Sequence, residues 1–560
     1  MLFHRLLSAL VLVSLCLTLA PTASAQKVNN KYRQFPAIGM EFKAFKDMSD
    51  VPINDRMKSR RVIAQGQAKR GPQVKSEEGN RFQYTPSLYV FYDEPQGPMT
   101  GEGSETTKSS YKARKPAEYL SSVLGGMTVK KGTEPVVEEF LSSKKITGSL
   151  SRFETTGRTN YGKVDLTVDV YTFYDGQAKL VFVWDYPAGK KTAKKWGKAI
   201  KKSMKSVRYI PKPEEETDLA EVNSESSYED LFAYHKKDVE QTPGWELIPT
   251  PSKNYLIKTN SEDRKDLKVV IARLEASRRL YEQDFPPSEP ITSVSVVRIC
   301  NTREEFGTYG QTGGGVAGYF SPGSEELVLF FGDGSIKETL GVMTHEAFHQ
   351  YCHFLFNRSA AHRWFDEGHG DYYGAWTLKG KNLKPGKDMK GGLSRLPHLK
   401  ELFRKDQLAP LSKHIRYDHP KWQNQGPQNI SNYCQSFGLI YFLREGARRK
   451  VPNKYWEKEY AQIIPNYIRV LNEGFRSAYK EVAEEAQKDL DRLEKKSDPD
   501  QGQIERLQEI IASPWDGFRM TPNFGAKRQT IWDNAMEASW GQVDEEEFEK
   551  NWLDYVDKVL

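Results

Sequence analysis

Between residues 163 and 184 the chain alternates apolar and polar positions with a period of two. Val164, Leu166, Val168 and Val170 fall on one face of a strand over Lys163–Thr172, and Leu180–Trp184 supplies a second. Asp175-Gly176 between them suits a tight turn, so the pair reads as a β-hairpin. Leu88–Tyr92 predicts a further strand. From Thr192 to about Val207 the period becomes helical: Trp196, Ala199, Ile200 and Met204 share one face, and Lys194, Lys195, Lys198, Lys201, Lys202 and Lys205 the other. Residues 26–212 are therefore expected to form a small α+β domain, an antiparallel sheet with helices on one side. Its lysine face is either simply solvated or a contact for anionic envelope polymer. Residues 213–227, rich in glutamate and serine and poor in apolar side chains, mark a linker.

The pattern then resumes. Asn254–Ile257 and Ile291–Ile299 read as strands, and Asp263–Tyr281 as a helix with Leu267, Val270, Ile271 and Leu274 at helical spacing. Thr302–Tyr309 predicts a short helix. Gly313–Gly315 either admits a substrate backbone or makes a hairpin flexible. Leu327–Phe331 is a strand, and Ser335-Ile336-Lys337-Glu338 is a capping box that opens the next helix. Beyond Tyr373 the chain looks mainly helical: an amphipathic segment over Ile430–Leu443, a charged helical hairpin near 480–511, and a closing helical pair carrying Trp532, Met536, Trp540, Phe548, Trp552 and Tyr555. The expected class is α+β throughout, with a mixed-sheet subdomain over 228–378 and a helical one over 379–560.

Composition changes this picture at three points. Met1–Ala25 has basic Arg5, an apolar run and Ala23-Ser24-Ala25, the layout of a cleaved secretory signal peptide, so the mature chain is expected to be secreted or periplasmic from about Gln26. No later stretch is apolar enough to span a bilayer. The net charge of +7 is too weak and dispersed to suggest nucleic acid. Cys300, Cys352 and Cys434 allow one disulfide at most; a Cys352–Cys434 bridge and three small buried hydrophobes are both open.

The chemistry gathers at His345-Glu346-Ala347-Phe348-His349. Histidines four apart on a helix lie about one turn apart on one face, so both imidazoles reach one metal ion, and the glutamate beside the first points partly the same way. Such nitrogen donors suit tetrahedral zinc with one position left to water. A metzincin site is excluded, because Cys352 and Leu355 stand where its glycine and third histidine belong. The alternative without chemistry is an amphipathic core helix with two satisfied histidines.

Together with Trp364-Phe365-Asp366-Glu367-Gly368-His369-Gly370-Asp371-Tyr372, the motif resembles the gluzincin zinc peptidases, the thermolysin-like and aminopeptidase N-like group, and a bacterial secreted peptidase-MA-like family near them. The resemblance is tight over His345–Tyr372 and loose over Asn254–Leu560. It implies a zinc site of His345, His349 and Glu367, with Glu346 as general base and Asp371 orienting a ligand histidine. Tyr372 keeps the spacing of that group. Tyr433 matches the tyrosine that donates to the developing oxyanion. The strand before the motif, here Leu327, Val328 and Leu329, would be a sheet edge that pairs with an extended peptide or protein substrate. His353 and His369 are the alternatives for the third ligand. The motif by which aminopeptidases recognise a free amino terminus is absent, leaving endo- and exo-action open. Two rivals remain: a non-catalytic envelope binding protein with a relic or structural zinc site, and a zinc amidase acting on cell-wall peptides.

Overall fold

The computed structural model describes residues 27–35, 39–93, 114–123, 127–130, 133–159, 161–175, 178–211, 222, 226–310, 316–331, 336–385, 395–423, 429–496 and 499–560. The expected signal peptide, most of the linker, Gly176 of the hairpin turn, Gly313–Gly315 and Ser335 of the capping box lie outside them. The chain divides into two compact units, Met1–Glu216 and Thr217–Leu560. No helix among the described residues is long and apolar enough to cross a membrane.

The first unit is built on an eight-stranded antiparallel sheet. The expected hairpin is there, with Gly162–Asp175 pairing Ala178–Pro187 from Leu166↔Pro187 to Asp175↔Ala178. Helix Lys190–Met204 seats Trp196, Ile200 and Met204 on Tyr171, Phe173, Phe182 and Trp184. Lys194, Lys198, Lys201, Lys202 and Lys205 face solvent. The expectation of helices on one side is corrected. Val168, Val170, Val181 and Val183 form a second apolar face, covered by Met57 of helix Asp55–Ser59 and by Tyr119 and Leu120 of Pro116–Val123. A polar residue hides the two-sidedness: Asp169 is fully buried between Arg152 (2.6 and 2.9 Å) and the Tyr186 hydroxyl (3.0 Å). A buried carboxylate is tolerable only with such partners.

The second unit contains a five-stranded mixed sheet in the order Glu246–Pro249, Tyr255–Thr259, Ser295–Cys300, Glu326–Phe330, Gly318–Ser321. The middle three strands are parallel and the outer two antiparallel to their neighbours. This corrects the assignment of Leu327, Val328 and Leu329 to a sheet edge. Their strand is interior, because the chain folds Gly318–Ser321 back along its outer side and satisfies its main-chain groups on both flanks. Among the described residues, the free edge on this side of the sheet is Gly318–Ser321, and Glu246–Pro249 ends the other side. Ile291–Val294 drops out of the expected strand, since parallel pairing begins at Tyr255↔Ser295.

Helices Arg264–Asp284 and Ile336–Leu355 pack on one face of this sheet, and a single apolar core continues from Tyr255 to Val556 through the C-terminal helices. The two expected subdomains thus share one interior. The charged hairpin also packs more closely than its composition suggests: Leu490 and Leu493 are buried at the end of the 31-residue helix Ile463–Leu493, which pairs with Gln501–Ala512. Met536, Trp540, Phe548, Trp552 and Tyr555 are buried in the closing pair, as expected. Cys300, Cys352 and Cys434 are buried free thiols.

Candidate metal centre

Helix Ile336–Leu355 presents Met343, Ala347, Phe348, Tyr351 and Leu355 to the core, which turns the opposite stripe, His345, Glu346 and His349, toward the free edge of the sheet. Buried hydrogen bonds fasten it in rotation and height. Arg273 donates to Thr344 Oγ1 (2.6 Å) and to the Trp376 carbonyl (2.7 Å), and the Tyr281 hydroxyl donates to the Thr344 carbonyl (2.7 Å). Gln350 Nε2 ties the helix to the sheet through the Val296 and Glu325 carbonyls, at 3.0 and 2.9 Å. Losing one buried partner of this kind costs about 1–3 kcal/mol.

Helix Arg363–Gly374 lies against the motif helix. Its approach depends on Gly370: a Cβ there would stand 2.8–3.0 Å from three atoms of the His345 ring. The close packing brings Glu367 to the histidines. His345 Nε2 and His349 Nε2 are 2.9 Å apart, and Glu367 Oε2 is 3.2 Å from the first and 3.5 Å from the second. These three are the group among the described residues whose donor atoms converge as a metal site would require.

The far sides of the rings are held as well. His349 Nδ1 pairs with Asp366 Oδ1 at 2.7 Å. His345 Nδ1 is 3.0 Å from Asp371 Oδ1, off the direction of a straight N–H bond, and Arg395 in turn donates to both Asp371 oxygens (2.7 and 3.3 Å). With protons on the Nδ1 atoms, two Nε2 lone pairs face each other across 2.9 Å, an arrangement that repels unless a proton or a cation lies between them. Two imidazole nitrogens and one carboxylate oxygen fit zinc, and the aspartates behind them set the tautomers.

The electrostatics point the same way. Burial disfavours a charged His345, but the carboxylates of Asp371 and Glu367 beside it outweigh that and push the imidazole up to about 10. Burial likewise opposes, and Asp366 and Glu367 overcome, the rise at His349. Glu367 is driven well below the usual carboxylate range by the two histidines, against the effect of its own burial. The cage is built for positive charge at its centre.

Glu346, next to His345 in the chain, accepts the backbone N–H of Phe320 at Oε2 (3.0 Å), an outward-facing donor of the edge strand. Tyr433, on helix Asn429–Ala447, has its ring beneath the Arg395 guanidinium (5.6 Å to the centroid). Burial raises its phenol, and the charges of Glu367, Asp371 and Glu346 add to the rise, so the hydroxyl stands within their field. The alternatives for the third ligand are turned elsewhere. His353 Nε2 pairs with Glu325 (3.0 Å), and His369 is fully buried, with Nδ1 donating to the Phe365 carbonyl (2.7 Å) and Nε2 accepting from Arg444 (3.2 Å). Tyr372 bonds Glu445 (2.8 Å) in the core.

Sequence reasoning missed Asp366, Arg395 and the Phe320 N–H. Asp366 had a signal, since aspartates one before and four after Glu367 frame it on one short helix. Arg395 and Phe320 had none, because only the fold brings them in.

No family model and no curated protein matches the chain. Among solved structures, the Saccharomyces cerevisiae Ran-binding protein Mog1p is similar over 33% of this chain and 97% of its own, at 12% identity and a TM-score of 0.19. A Bacteroides thetaiotaomicron protein is similar over 59% of this chain and 80% of its own, at 9% identity and a TM-score of 0.19. Likenesses that slight carry no argument about chemistry, so the case for what this chain does rests on His345, His349, Glu367 and their surroundings.

Proposed function

We propose that this protein is an exported zinc-dependent metallopeptidase of gluzincin type. The observation that carries the reading is the convergence of His345 Nε2, His349 Nε2 and Glu367 Oε2, each backed by a charged partner, with Glu346 on the same helix at the sheet's free edge. Zinc, when bound by these three residues, supplies Lewis acidity toward water and a peptide carbonyl.

The chain's own groups do the rest. The Phe320 N–H holds one oxygen of Glu346 and leaves the carboxylate to take a proton from the attacking water and hand it to the leaving amine. Tyr433 offers its hydroxyl as a hydrogen-bond donor to the developing oxyanion. Asp366 and Asp371 keep the histidine tautomers fixed. Gly318–Ser321, in place of the interior strand, offers main-chain groups to an extended peptide, and pairing of that kind tolerates many sequences.

The test is an unbiased peptide library incubated with wild type and with Glu346→Gln, zinc content being measured on both. Cleavage by wild type alone, at equal zinc, is the expected result, and the cut sites will separate endo- from exo-action. A zinc-loaded wild type that cuts no peptide, wall peptides included, would overturn the peptidase reading.

A further inference from the structure

Glu367 uses its two oxygens differently. Oε2 faces the two histidines, whereas Oε1 accepts from Arg363 Nη1 at 2.9 Å. Arg363 is the first residue of helix Arg363–Gly374 and stands one turn before Glu367, so the two form an (i, i+4) ion pair, at a helix end where the dipole disfavours a cation. Its guanidinium is held on the far side too: Nη2 donates to Nδ1 of His419, in the short helix His419–Gln423. Burial and the neighbouring Arg363 both disfavour a charged His419, which leaves a neutral ring able to accept. Arg363 thus links the outer oxygen of a buried carboxylate on its own helix to a second element, the helix of His419.

We infer that Arg363 is a positioning residue that confines Glu367 to a single metal-facing oxygen. The inference rests on the reading of His345, His349 and Glu367 as a metal cage. A carboxylate free to turn can offer both oxygens, which raises the coordination number and fills the position that must stay open to water. With Oε1 tied to the guanidinium, Glu367 contributes one oxygen, and the donor set stays at two nitrogens and one oxygen.

Charge and position make opposite predictions here. A cation this close to a ligand oxygen weakens the pull on a metal ion, so on charge alone its removal should tighten binding. If Arg363 acts by position, its removal loosens the cage and weakens binding.

The experiment measures zinc affinity by chelator competition, and the visible spectrum of the cobalt-loaded protein, for wild type, Arg363→Met, Arg363→Lys and His419→Ala. Thermal unfolding of each metal-free protein controls for the fold. Arg363→Met is expected to bind zinc about 10–100-fold more weakly, the usual cost of losing a partner behind a ligand. Its cobalt absorption should lose intensity as coordination expands. Arg363→Lys, which keeps a donor, should restore most of both, and His419→Ala should fall between. Arg363→Met binding as tightly as wild type or tighter, with an unchanged cobalt spectrum, would overturn the inference. A wild type that takes up neither metal would instead overturn the cage itself, and with it the peptidase reading.

Discussion

Replacing Gly370 with alanine should separate the metal site from the stability of the fold. The added Cβ would stand 2.8, 2.9 and 3.0 Å from Nδ1, Cε1 and Cγ of His345. Ordinary carbon contacts begin near 3.5 Å, so the ring must retreat by about half an ångström or more. Metal–ligand distances tolerate only about 0.2 Å, so a shift of that size removes His345 Nε2 from effective coordination. It also disturbs the Asp371 contact behind the ring. Zinc affinity should therefore fall by at least the ~10–100-fold seen when a partner behind a ligand is lost.

Stability should change far less. Overpacking costs ~1–3 kcal/mol, but alanine recovers ~1 kcal/mol of helix propensity. The net is at most ~2 kcal/mol, a few degrees in Tm for a unit of this size. Gly368→Ala is the matched control. Its Cβ would meet Ile440 Cγ1 at 2.6 Å and the Ser436 carbonyl oxygen at 2.8 Å, away from the cage and partly against immovable backbone. Chelator competition and thermal unfolding on both variants decide the matter. Gly370→Ala should lose zinc and keep most of its stability, and Gly368→Ala the reverse. Wild-type zinc affinity in Gly370→Ala would refute the argument that this close approach sets the cage.

Three further outcomes are expected. Tyr433→Phe should lower kcat by ~10²–10³ with KM and zinc content unchanged; an unaltered kcat would place the oxyanion donor elsewhere. His235 and His414 are held down to about 3 and His362 to about 4, in each case chiefly by burial. Their folded values lie below the unfolded value of about 6.5, so the unfolded chain takes up protons first and stability falls as pH drops from there toward 4, at ~1.4 kcal/mol per pH unit for each group. In the metal-free protein the raised His345 acts oppositely, its contribution being full below about 6.5 and lost as pH rises toward 10. His414→Gln, which still reaches Ser436, should flatten the acid limb of a denaturation series in zinc-loaded protein; an identical limb would refute the assignment. In the first unit, burial pushes Asp185 up to about 7, opposed by bonds from Tyr84 (2.8 Å) and the Ser87 N–H (3.2 Å). A raised carboxylate contributes stability that is full below about 4 and lost as pH rises through 7. Asp185→Asn keeps an acceptor for both donors and should raise the unfolding temperature of that unit at pH 8 but not at pH 4; no gain at pH 8 would count against it.

By itself the sequence determined what depends on local periodicity and fixed spacing. The strand alternation at Val164–Val170, the helical stripe Trp196–Met204 and the aromatic positions Trp540–Tyr555 all lie in the elements expected of them, because burying one face of a strand or helix is a local pattern. Two histidines four apart put both rings on one helical face, whatever the rest of the chain does. Glu367 and Asp371 could be read only through a resemblance, because their place relative to His345 depends on how two helices pack. Only the tertiary structure decided which strand is the edge. Leu327–Leu329 reads as a strand from its residues, and whether it is an edge turned on Gly318–Ser321 folding back along it. The same holds for the second apolar face of the first sheet, the shared core of the second unit, and the partners Asp366, Arg395, His419 and the Phe320 N–H. These are contacts between segments distant in the chain or on facing elements, formed where a carboxylate or guanidinium must find a partner once water is excluded. That requirement is imposed by packing, and no single segment carries it.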